Sequence, residues 1–409
     1  MIKWDYFFEK IKDVKIKDYL AVFSMIAALL VQPFYKKKFK NLWLICEEPL
    51  EARDNGYQFF RYMRQYQPQQ PCIYAIKKNS VDYKKVKKLG QIIEYGSVLH
   101  WVAYFLCQYN ISSQKGGKPN AAICSFMELN GIFKPCNIFL QHGITINDLR
   151  WLYADRSKID LFITSTIPER NFIVDKFGYP EDTICLTGMP RFDNLHNSKV
   201  NKKQVLIMPT WRYWFKLHSK KYQGSDNDFV TSEYYRKWTE LLKSEKLELL
   251  IKTYQLEVIF YPHRNMQDTI DILKKINSQV KIASWKEYDI QKILKSAAVM
   301  ITDYSSVFFD MVYMKKPVLF YQFDERKYRE HQYGEGYFNY YNNPFGKAFD
   351  NLDFLLEELG RLAESDFSFS KEAEESHRTI FPYWDQKNSE RIYNVLENRT
   401  ERESKVVGW

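Results

Sequence analysis

The feature that most constrains this chain is an alternation, from residue 41 onward, between short apolar runs and longer amphipathic runs. Such an alternation predicts parallel strands joined by helices, because two parallel strands need a long crossover connection. In the first half of the chain the predicted strands are 41–46, 72–77, 91–96, 121–126, 136–141, 161–166 and 183–188. The predicted helices between them are 56–67, 81–89, 97–109 and 167–177.

The same pattern resumes after the polar stretch HNSKVNKKQ (196–204), which we interpret as a linker. The predicted strands that follow are 205–209, 256–261, 280–284, 298–302 and 317–321, and the predicted helices are 232–252, 266–277, 289–297, 305–315, 349–364 and 384–399. A chain of 409 residues is too long for one ordinary core. We therefore predict an α/β protein with two doubly wound, Rossmann-like domains, 41–195 and 205–370, that face a central cleft, followed by a C-terminal helical segment, 371–409.

The N-terminal segment, residues 1–40, is both basic and apolar. Residues 1–42 contain nine lysines and four acidic residues, which gives +5 of the formal net charge of +10. The run YLAVFSMIAALLVQPF (19–34) is shorter than the roughly 20 residues that span a bilayer, and no small-residue cleavage site follows it. We interpret it as a helix that holds the protein peripherally on the anionic, cytoplasmic face of a membrane. A core helix of the first domain is the alternative.

Several function classes have no signal in the sequence. The six cysteines form no C-x-x-C pair, which fits a reducing cytoplasm and indicates neither a zinc site nor a disulfide framework. A D-x-D motif, Asp226 to Asp228, lies in a polar stretch with no strand before it and is a weak candidate for a metal site. We expect no required cofactor and no metal site, with a divalent metal left open, and we expect no nucleic acid as partner.

Polar side chains collect where four of the predicted strands end, which is where doubly wound sheets bind their ligands. In the first domain the strand CNIFL leads into Gln141, His142 and Gly143. In the second domain three strand ends supply Thr210, Arg212, His263, Arg264, Asp303, Ser305 and Ser306. We therefore predict a ligand site made from both domains.

The stretch DYSS indicates a phosphate site. We expect Ser305 and Ser306 to open a helix, whose free backbone N–H groups and positive dipole end attract anions. His263, Arg264 and Arg212 would add positive charge nearby. A simple serine N-cap is the alternative.

His142 and His263 follow strands in different domains. Two such histidines facing a cleft could act as an acid/base and charge-stabilising pair, in which one removes a proton from an acceptor hydroxyl and the other holds a pyrophosphate. Structural roles for both are the alternative.

Five stretches in order resemble the CDP-glycerol:poly(glycerophosphate) glycerophosphotransferase family, over roughly residues 41–346. They are DNGYQFFRYM, LTGMPRFDNL, LIMPTWR, ITDYSSVFFDMVYMKKPVLFYQFD and YREHQYGEGYF. The resemblance implies the GT-B fold and the synthesis of teichoic acids or capsular polymers. It also implies that His142 and His263 are the two histidines the family uses, with His142 as catalytic base. The same stretches single out Arg191, Asp193 and Glu335, with a structural or a functional role; Arg191 and Asp193 could form an ion pair at the domain junction.

The activity that we expect is transfer of a polyol phosphate, most simply glycerol phosphate, from a CDP-polyol to an acceptor hydroxyl, with release of CMP. The donor would be CDP-glycerol or CDP-ribitol, and the acceptor a lipid-linked or oligosaccharide molecule. Arg212, Arg264, His263, Ser305 and Ser306 would neutralise the donor pyrophosphate. Gly143, Thr210 and Asp303 would complete the cleft. A GT-B glycosyltransferase with a nucleotide-sugar donor and a non-enzymatic, basic membrane scaffold are the two alternatives.

Overall fold

The computed structural model describes residues 16–133, 135–215, 229–276 and 279–407, and its chain divides into two compact units. Unit 1 contains the described residues up to Ile144, Arg150–Asn194 and the chain from Tyr383 onward. Unit 2 contains Thr145–Leu149 and Leu195–Pro382.

Unit 1 is built on a seven-stranded parallel sheet. Its strands are β1 (Trp43–Cys46), β2 (Cys72–Ile76), β3 (Ile92–Glu94), β4 (Tyr109–Ser112), β5 (Cys136–Phe139), β6 (Leu161–Thr164) and β7 (Ile184–Leu186). The strand order is β3-β2-β1-β4-β5-β6-β7, so the direction of winding reverses between β1 and β4. That reversal creates a crevice at the carboxyl ends of β1 and β4.

The helices of unit 1 before its last one are α1 (Ile16–Tyr35), α2 (Asn55–Tyr66), α3 (Tyr83–Lys87), α4 (Val98–Leu106), α5 (Ala121–Leu129) and α6 (Ile167–Lys176). Polar side chains define where several of them begin. Ser97, Asn120 and Thr166 each accept a hydrogen bond from a backbone N–H of the first helical turn, which satisfies a donor that the helix itself leaves unpaired.

One predicted strand of unit 1 is wrong. The run AAICSF at 121–126 lies in α5, because Asn120 caps a nine-residue segment rich in helix-forming alanine, leucine and methionine. The strand at this place in the sheet is β4, whose sequence YNIS has two polar residues; the predicted helix 97–109 takes in only its first residue, Tyr109, and no element is predicted for the other three. All four residues of β4 are buried between β1 and β5, and both polar side chains find partners: Asn110 Nδ2 donates to Asn137 Oδ1 of β5 over 3.0 Å, and Ser112 Oγ donates to the carbonyl of Gln114 over 2.8 Å.

Unit 2 is built on a six-stranded parallel sheet. Its strands are β8 (Gln204–Ile207), β9 (Glu257–Phe260), β10 (Lys281–Ile282), β11 (Val299–Thr302), β12 (Val318–Tyr321) and β13 (Gly346–Phe349), in the order β10-β9-β8-β11-β12-β13. Its helices are α7 (Glu233–Lys243), α8 (Glu245–Tyr254), α9 (Ile270–Leu273), α10 (Ile290–Ser296), α11 (Phe308–Tyr313), α12 (Glu325–His331), α13 (Leu352–Glu364) and α14 (Lys371–Ile380). The winding reverses between β8 and β11, which places the crevice of this unit at their carboxyl ends.

The last helix, α15 (Asn388–Val407), belongs to unit 1. Its Ile392 and Leu396 are fully buried in the same cluster as Trp43 and Phe59. The C-terminal segment is therefore divided, with α14 in unit 2 and α15 in unit 1. The predicted linker, 196–204, packs on unit 2, where His196 Nε2 and the hydroxyl of Tyr313 are 3.0 Å apart.

Helix α1 has two different faces. Ala28 is fully buried against α4, and Asn120 holds the start of the helix by donating to Asp18 over 2.7 Å. The other face exposes seven large apolar side chains: Tyr19, Leu20, Phe23, Ile26, Leu29, Leu30 and Phe34. The window Asp18–Tyr35 is long and apolar enough to cross a membrane by length and composition alone, a test that core helices also pass. The helix is thus longer than the apolar run predicts, and one face packs on unit 1.

Candidate functional site

His142 lies just beyond β5, and its imidazole contacts residues that follow β1 and β4. Its Nδ1 is 2.5 Å from Asp54 Oδ2 and 3.0 Å from Gln114 Nε2. Asp54 caps α2 and Gln114 lies two residues after β4, so the crevice of the unit 1 sheet supplies both partners. The His142 side chain is 67% exposed, which leaves the imidazole accessible from solvent.

The pairing with Asp54 sets the electrostatics of the imidazole. Enclosure by the surrounding protein works to lower the pKa of His142, but the charge and the hydrogen bond of Asp54 outweigh it and raise that pKa above its usual value. Burial alone would raise the pKa of Asp54, yet His142, Arg191 and a backbone N–H hold it below the usual value. The carboxylate is therefore ionised near neutral pH, and it stabilises the protonated form of the imidazole.

Asp54 is itself held in place by a buried network. Arg191, with only 3% of its side chain exposed, donates from Nη1 to Asp54 Oδ1 over 3.1 Å and to the carbonyl of His142 over 2.6 Å. Asn55 accepts from the Arg191 backbone N–H over 3.0 Å and donates to the carbonyl of Gln141 over 2.7 Å. Gln141 has a φ of 62°, a left-handed conformation in which its side chain donates to Glu169 over 2.8 Å. The network fixes the imidazole and its carboxylate relative to each other.

A second carboxylate, Glu47, is buried directly after β1. It accepts from the backbone N–H groups of Arg53 and Asp54 through Oε1, over 2.8 and 3.2 Å, and from that of Tyr57 through Oε2 over 3.0 Å. Burial, and then the charge of Asp54, raise the pKa of Glu47 to about 7. Gly56 leaves room for this carboxylate, since a Cβ there would lie 2.8 Å from Glu47 Oε2 and the hydrogen-bonded side chain would have to shift.

In unit 2, Arg212 is fully buried between two carboxylates. Its Nη2 is 2.8 Å from Asp303 Oδ2, its Nε is 2.8 Å from Asp324 Oδ2, and Nη1 donates to the carbonyl of Thr210 over 2.8 Å. Three tyrosine rings surround the guanidinium at 4.9 to 5.2 Å: Tyr234, Tyr304 and Tyr328. The side chain has no exposed surface, so in this arrangement Arg212 does not offer the direct phosphate contact that the sequence predicts.

Asp303 links Arg212 to the strand ends of the unit 2 crevice. Its Oδ1 accepts from the backbone N–H groups of Thr210 and Tyr304, over 2.7 Å each. The buried ion pair therefore shapes the loops that follow β8 and β11, which carry Thr210 on one side and Ser305 on the other.

His263 and Arg264 follow β9 and lie against tryptophans. The His263 ring stacks on Trp211, with centroids 6.2 Å apart and planes 27° apart, and its Nδ1 accepts from the backbone N–H of Asn265 over 3.1 Å. That bond puts the proton of a neutral ring on Nε2. The Arg264 guanidinium lies 4.9 Å from the ring centre of Trp285. Both side chains are partly exposed, as a ligand contact requires.

The serine pair differs from its prediction in detail. Ser305 and Ser306 lie in the turn before α11, which begins at Phe308 and has six residues. Ser305 Oγ accepts from the backbone N–H of Val307 over 3.4 Å, and the N–H groups of Phe308 and Phe309 bond back to the serine carbonyls. The prediction that the serines open the helix is therefore wrong by two to three residues. Both serines are partly exposed beside Asp303.

The structure gives Arg191 and Asp193 separate roles. Arg191 holds Asp54, whereas Asp193 caps α15 by accepting from the backbone N–H groups of Asn388 and Ser389 over 2.7 and 2.9 Å. Glu335 is exposed and lies beside Gly334, which forms an isolated bridge with Asp148. Gly143 directly follows the histidine and is partly exposed.

Across the part of the chain that the structure describes, no group of three histidine, cysteine, aspartate or glutamate side chains is placed to hold a metal ion. The D-x-D motif, 226–228, lies outside the described residues.

Comparison with known proteins decides the family. The profile of the CDP-Glycerol:Poly(glycerophosphate) glycerophosphotransferase family matches residues 25–398. The chain belongs to this family. Relatives that match this chain include teichoic acid polymerases of glycerol phosphate and of ribitol phosphate, in agreement with the resemblance of the five motifs.

Two curated relatives come from Bacillus subtilis (strain 168). The minor teichoic acid biosynthesis protein GgaB is 31% identical over 369 residues, which cover 87% of this chain and 40% of that protein. The teichoic acid glycerol-phosphate primase is 26% identical over 257 residues, which cover 62% of this chain and 61% of that protein. The chain thus spans less than two thirds of the length of either relative.

Solved structures confirm the fold. A histidine-to-asparagine variant of the wall teichoic acid polymerase TagF, soaked with CDPG, superposes with a TM-score of 0.65 at 16% identity, over 98% of this chain and 99% of that one. The predicted α/β fold of the GT-B type is confirmed by this likeness and by the two parallel sheets.

Three residues of the site were missed in the sequence: Asp54, Glu47 and Asp324. Asp54 stands at the start of DNGYQFFRYM, one of the five stretches that resemble the family. A signal was present, since an aspartate directly before a helix is a common cap and also a possible partner for a histidine. Asp324 follows β12 by three residues, whereas Asp303 directly follows β11, so its signal in the sequence is weaker.

Proposed function

We propose that this protein transfers a polyol phosphate, glycerol phosphate in the simplest case, from a CDP-polyol to an acceptor hydroxyl and releases CMP. The observation that carries the proposal is the exposed imidazole of His142, which pairs with the largely buried carboxylate of Asp54, in a chain of the glycerophosphotransferase family. A CDPG soak of the related polymerase TagF supports CDP-glycerol as donor. CDP-ribitol is the alternative donor, since ribitol-phosphate polymerases are among the relatives.

The proposed reaction needs one proton acceptor. His142 Nδ1 faces Asp54, so Nε2 takes the proton of the acceptor hydroxyl. The hydroxyl oxygen forms a bond to the phosphorus that carries the polyol, and the bond from that phosphorus to the oxygen of CMP breaks. Asp54 keeps the imidazole oriented and stabilises its positive charge, the role of the carboxylate in hydrolase triads.

The residues of unit 2 have complementary roles in the proposal. His263, Arg264, Ser305 and Ser306 are partly exposed and contact the donor pyrophosphate, whose charge must be neutralised as CMP leaves. Arg212 acts through Asp303 as a positioning residue for these loops. The acceptor is a lipid-linked or oligosaccharide molecule with a free hydroxyl.

The proposed location is the cytoplasmic face of an anionic membrane. The seven exposed apolar side chains of α1 would enter the interface, while the exposed Lys36, Lys37, Lys38 and Lys40 directly after the helix would meet anionic headgroups. The packed face around Ala28 supports a helix that lies along unit 1 on the surface rather than one that spans.

The test of the activity is an assay of CMP release from CDP-glycerol and CDP-ribitol, with and without hydroxyl-bearing acceptors. Acceptor-dependent CMP release that His142→Ala abolishes supports the proposal. Release of a nucleoside diphosphate from a nucleotide-sugar panel, with no CMP from either CDP-polyol, would identify a glycosyltransferase instead. Membrane binding with no donor turnover would identify a scaffold.

A further inference from the structure

A groove with a volume of about 570 Å³ runs between α2 and the start of α15 in unit 1, within the size range of small-molecule sites. Two tyrosines of α2, Tyr62 and Tyr66, form one part of its wall, with ring centroids 5.2 Å apart. Tyr66 is 60% exposed. Five amide side chains also line the groove: Gln58, Gln65, Gln67, Asn194 and Gln386.

The chemistry of this lining fits a neutral ligand rich in hydroxyl groups. An amide side chain carries both donors and acceptors, which matches a hydroxyl that donates one hydrogen bond and accepts others. Part of this capacity is used within the protein, since Asn194 accepts from Arg61 and donates to Gln58 Oε1. The amides on which the inference rests are therefore Gln65, Gln67 and Gln386. The face of an aromatic ring can pack against the apolar C–H side of a sugar ring, while the hydroxyl groups of the sugar stay in contact with polar side chains.

The charges of the groove argue against a polyanion. Two cationic side chains, Arg61 and Lys387, are balanced by two carboxylates, Asp193 and Glu390, so the formal charge of the lining is zero. A chain of phosphodiesters would be expected to select a net positive surface.

The groove continues the face of α2 that begins at the proposed catalytic pair. Gln58, Arg61 and Gln65 follow the capping Asp54 by 4, 7 and 11 residues, so all lie on one side of the helix. At about 1.5 Å per residue the lining extends from roughly 6 Å to roughly 18 Å beyond Asp54 along the helix.

A second element ties the groove to that pair. The turn Pro190–Asn194 supplies Arg191, which donates to Asp54, and Asn194, which donates to Gln58 Oε1 over 3.0 Å.

We propose that this groove binds a neutral saccharide segment of the acceptor, so that the reactive hydroxyl, farther along the same molecule, reaches His142. The proposal rests on the proposed transferase function and adds to it the class of acceptor. It excludes a bare polyol-phosphate chain as the occupant of the groove.

The test uses a double variant, Gln65→Ala with Tyr66→Ala, at the end of the groove far from Asp54. Both side chains are exposed, and the one hydrogen bond between them joins Gln65 Nε2 to the Tyr66 hydroxyl over 3.1 Å, so folding should be preserved. The matched control is Phe354→Ala on α13, an aromatic residue of a helix in unit 2 that is also 60% exposed. Circular dichroism and thermal unfolding verify that both variants fold.

Transfer from CDP-glycerol is measured with two soluble acceptors, a synthetic disaccharide bearing a terminal glycerol phosphate and a glycerol-phosphate trimer without sugar. For the disaccharide acceptor we expect the KM to rise about tenfold in the double variant, the effect of one lost aromatic contact and one lost hydrogen bond. We expect the kcat, the KM for CDP-glycerol and the kinetics with the trimer to stay unchanged. Equal KM increases with both acceptors, or no increase with the disaccharide, would overturn the proposal.

A binding measurement separates this proposal from the proposed function. Saturation-transfer NMR is recorded with glucose, galactose and N-acetylhexosamine disaccharides on the wild-type protein, the double variant and the control. Binding that the double variant loses and the control keeps supports the saccharide groove even if no CDP-polyol is turned over. If CMP is released but no disaccharide binds in a way that depends on Tyr66, the groove proposal fails and the transferase function stands.

Discussion

The two units place their charged groups in opposite environments. In unit 1 the carboxylate of Asp54 is mostly enclosed, but its partner His142 has two thirds of its side chain in solvent. In unit 2 the three charged groups of Arg212, Asp303 and Asp324 are almost wholly buried and bind one another. Both clusters lie at the switch point of a parallel sheet, so the shared topology does not determine what the charges do.

This difference in solvent exposure indicates which charged groups can take part in a reaction and which have a structural role. A group that performs chemistry must reach its substrate, whereas a fully buried ion pair can only shape the backbone around it. Asp303 does so by accepting from the N–H groups of Thr210 and Tyr304. We therefore expect mutations in unit 1 to change turnover with little loss of stability, and mutations of the buried cluster in unit 2 to change stability first.

The largest effect is expected for Arg212→Met. Removal of the guanidinium leaves two buried carboxylates without their cation, and breaking a buried pair in this way costs about 3–5 kcal/mol of the free energy of unfolding. The measurement is chemical denaturation followed by tyrosine and tryptophan fluorescence.

The matched control for Arg212 is Arg326→Met in the same unit. Arg326 pairs with Glu330 over 3.0 Å, but 92% of its side chain is exposed, so we expect little change in stability. If Arg212→Met is as stable as this control and only the KM for the donor rises, then Arg212 contacts phosphate directly and the contrast between the units is wrong.

Next in size is His142→Ala. Loss of a general base lowers turnover by about a hundredfold or more, whereas the affinity for the donor should stay near the wild-type value. Steady-state kinetics of CMP release and donor titration by calorimetry measure the two quantities. His331→Ala, at an exposed histidine of α12, is the control, and a His142 variant with turnover within a few-fold of wild type would exclude the base role.

Most strands of the two sheets could be predicted from the sequence, whereas β4 could not. The strands β1, β11 and β12 are continuous apolar runs, as buried parallel strands require, and they were predicted within two residues. The strand β4, with sequence YNIS, breaks this rule because two of its four residues are polar, and only the fold supplies their partners, Asn137 for Asn110 and Gln114 for Ser112.

The contact between Asp54 and His142 spans 88 residues, so no local spacing reveals it. The sequence also does not show in which direction the Arg212 side chain points. An arginine at a strand end could face a ligand or the core, and only the positions of Asp303 and Asp324 decide between them. The sequence therefore predicts His142 in the first cluster and Arg212 with Asp303 in the second, but neither their partners Asp54 and Asp324 nor which cluster is exposed.

A smaller effect is expected for Asp54→Asn, which tests how the carboxylate tunes the base. Asp54 raises the pKa of His142, and the base must be neutral to accept a proton, so the rate should rise with pH through that pKa. Without the negative charge the pKa of His142 falls, and the rising limb of the pH–kcat profile should move to lower pH. We expect the plateau rate to fall about tenfold, because the imidazolium loses its partner.

The pH profile distinguishes tuning from simple structural damage. Asp155→Asn, at an exposed aspartate that pairs with Arg150 over 2.8 Å, should leave the profile in place. A plateau that falls in Asp54→Asn while the rising limb stays at the wild-type pH would show that Asp54 positions the imidazole without setting its pKa.

The smallest effect concerns α1, a part of unit 1 whose exposed groups we expect to locate the protein on a membrane rather than to take part in the reaction. Lys37→Gln removes one of four exposed lysines that follow the helix, and we expect binding to anionic liposomes to weaken about fivefold, since one lysine near such a surface contributes about 1 kcal/mol. Lys243→Gln, at an exposed lysine at the end of α7, should bind liposomes like the wild type.

Sedimentation with phosphatidylglycerol vesicles measures the binding of both variants. At increasing salt, wild-type binding should also weaken, because the attraction is screened within about 8 Å near physiological ionic strength. Turnover on a soluble acceptor should be the same in all three proteins, because the proposed reaction uses no group on the exposed face of α1. Liposome binding that is unaffected by Lys37→Gln and by salt would instead make α1 a purely structural helix of unit 1, held through Ala28 and Asp18.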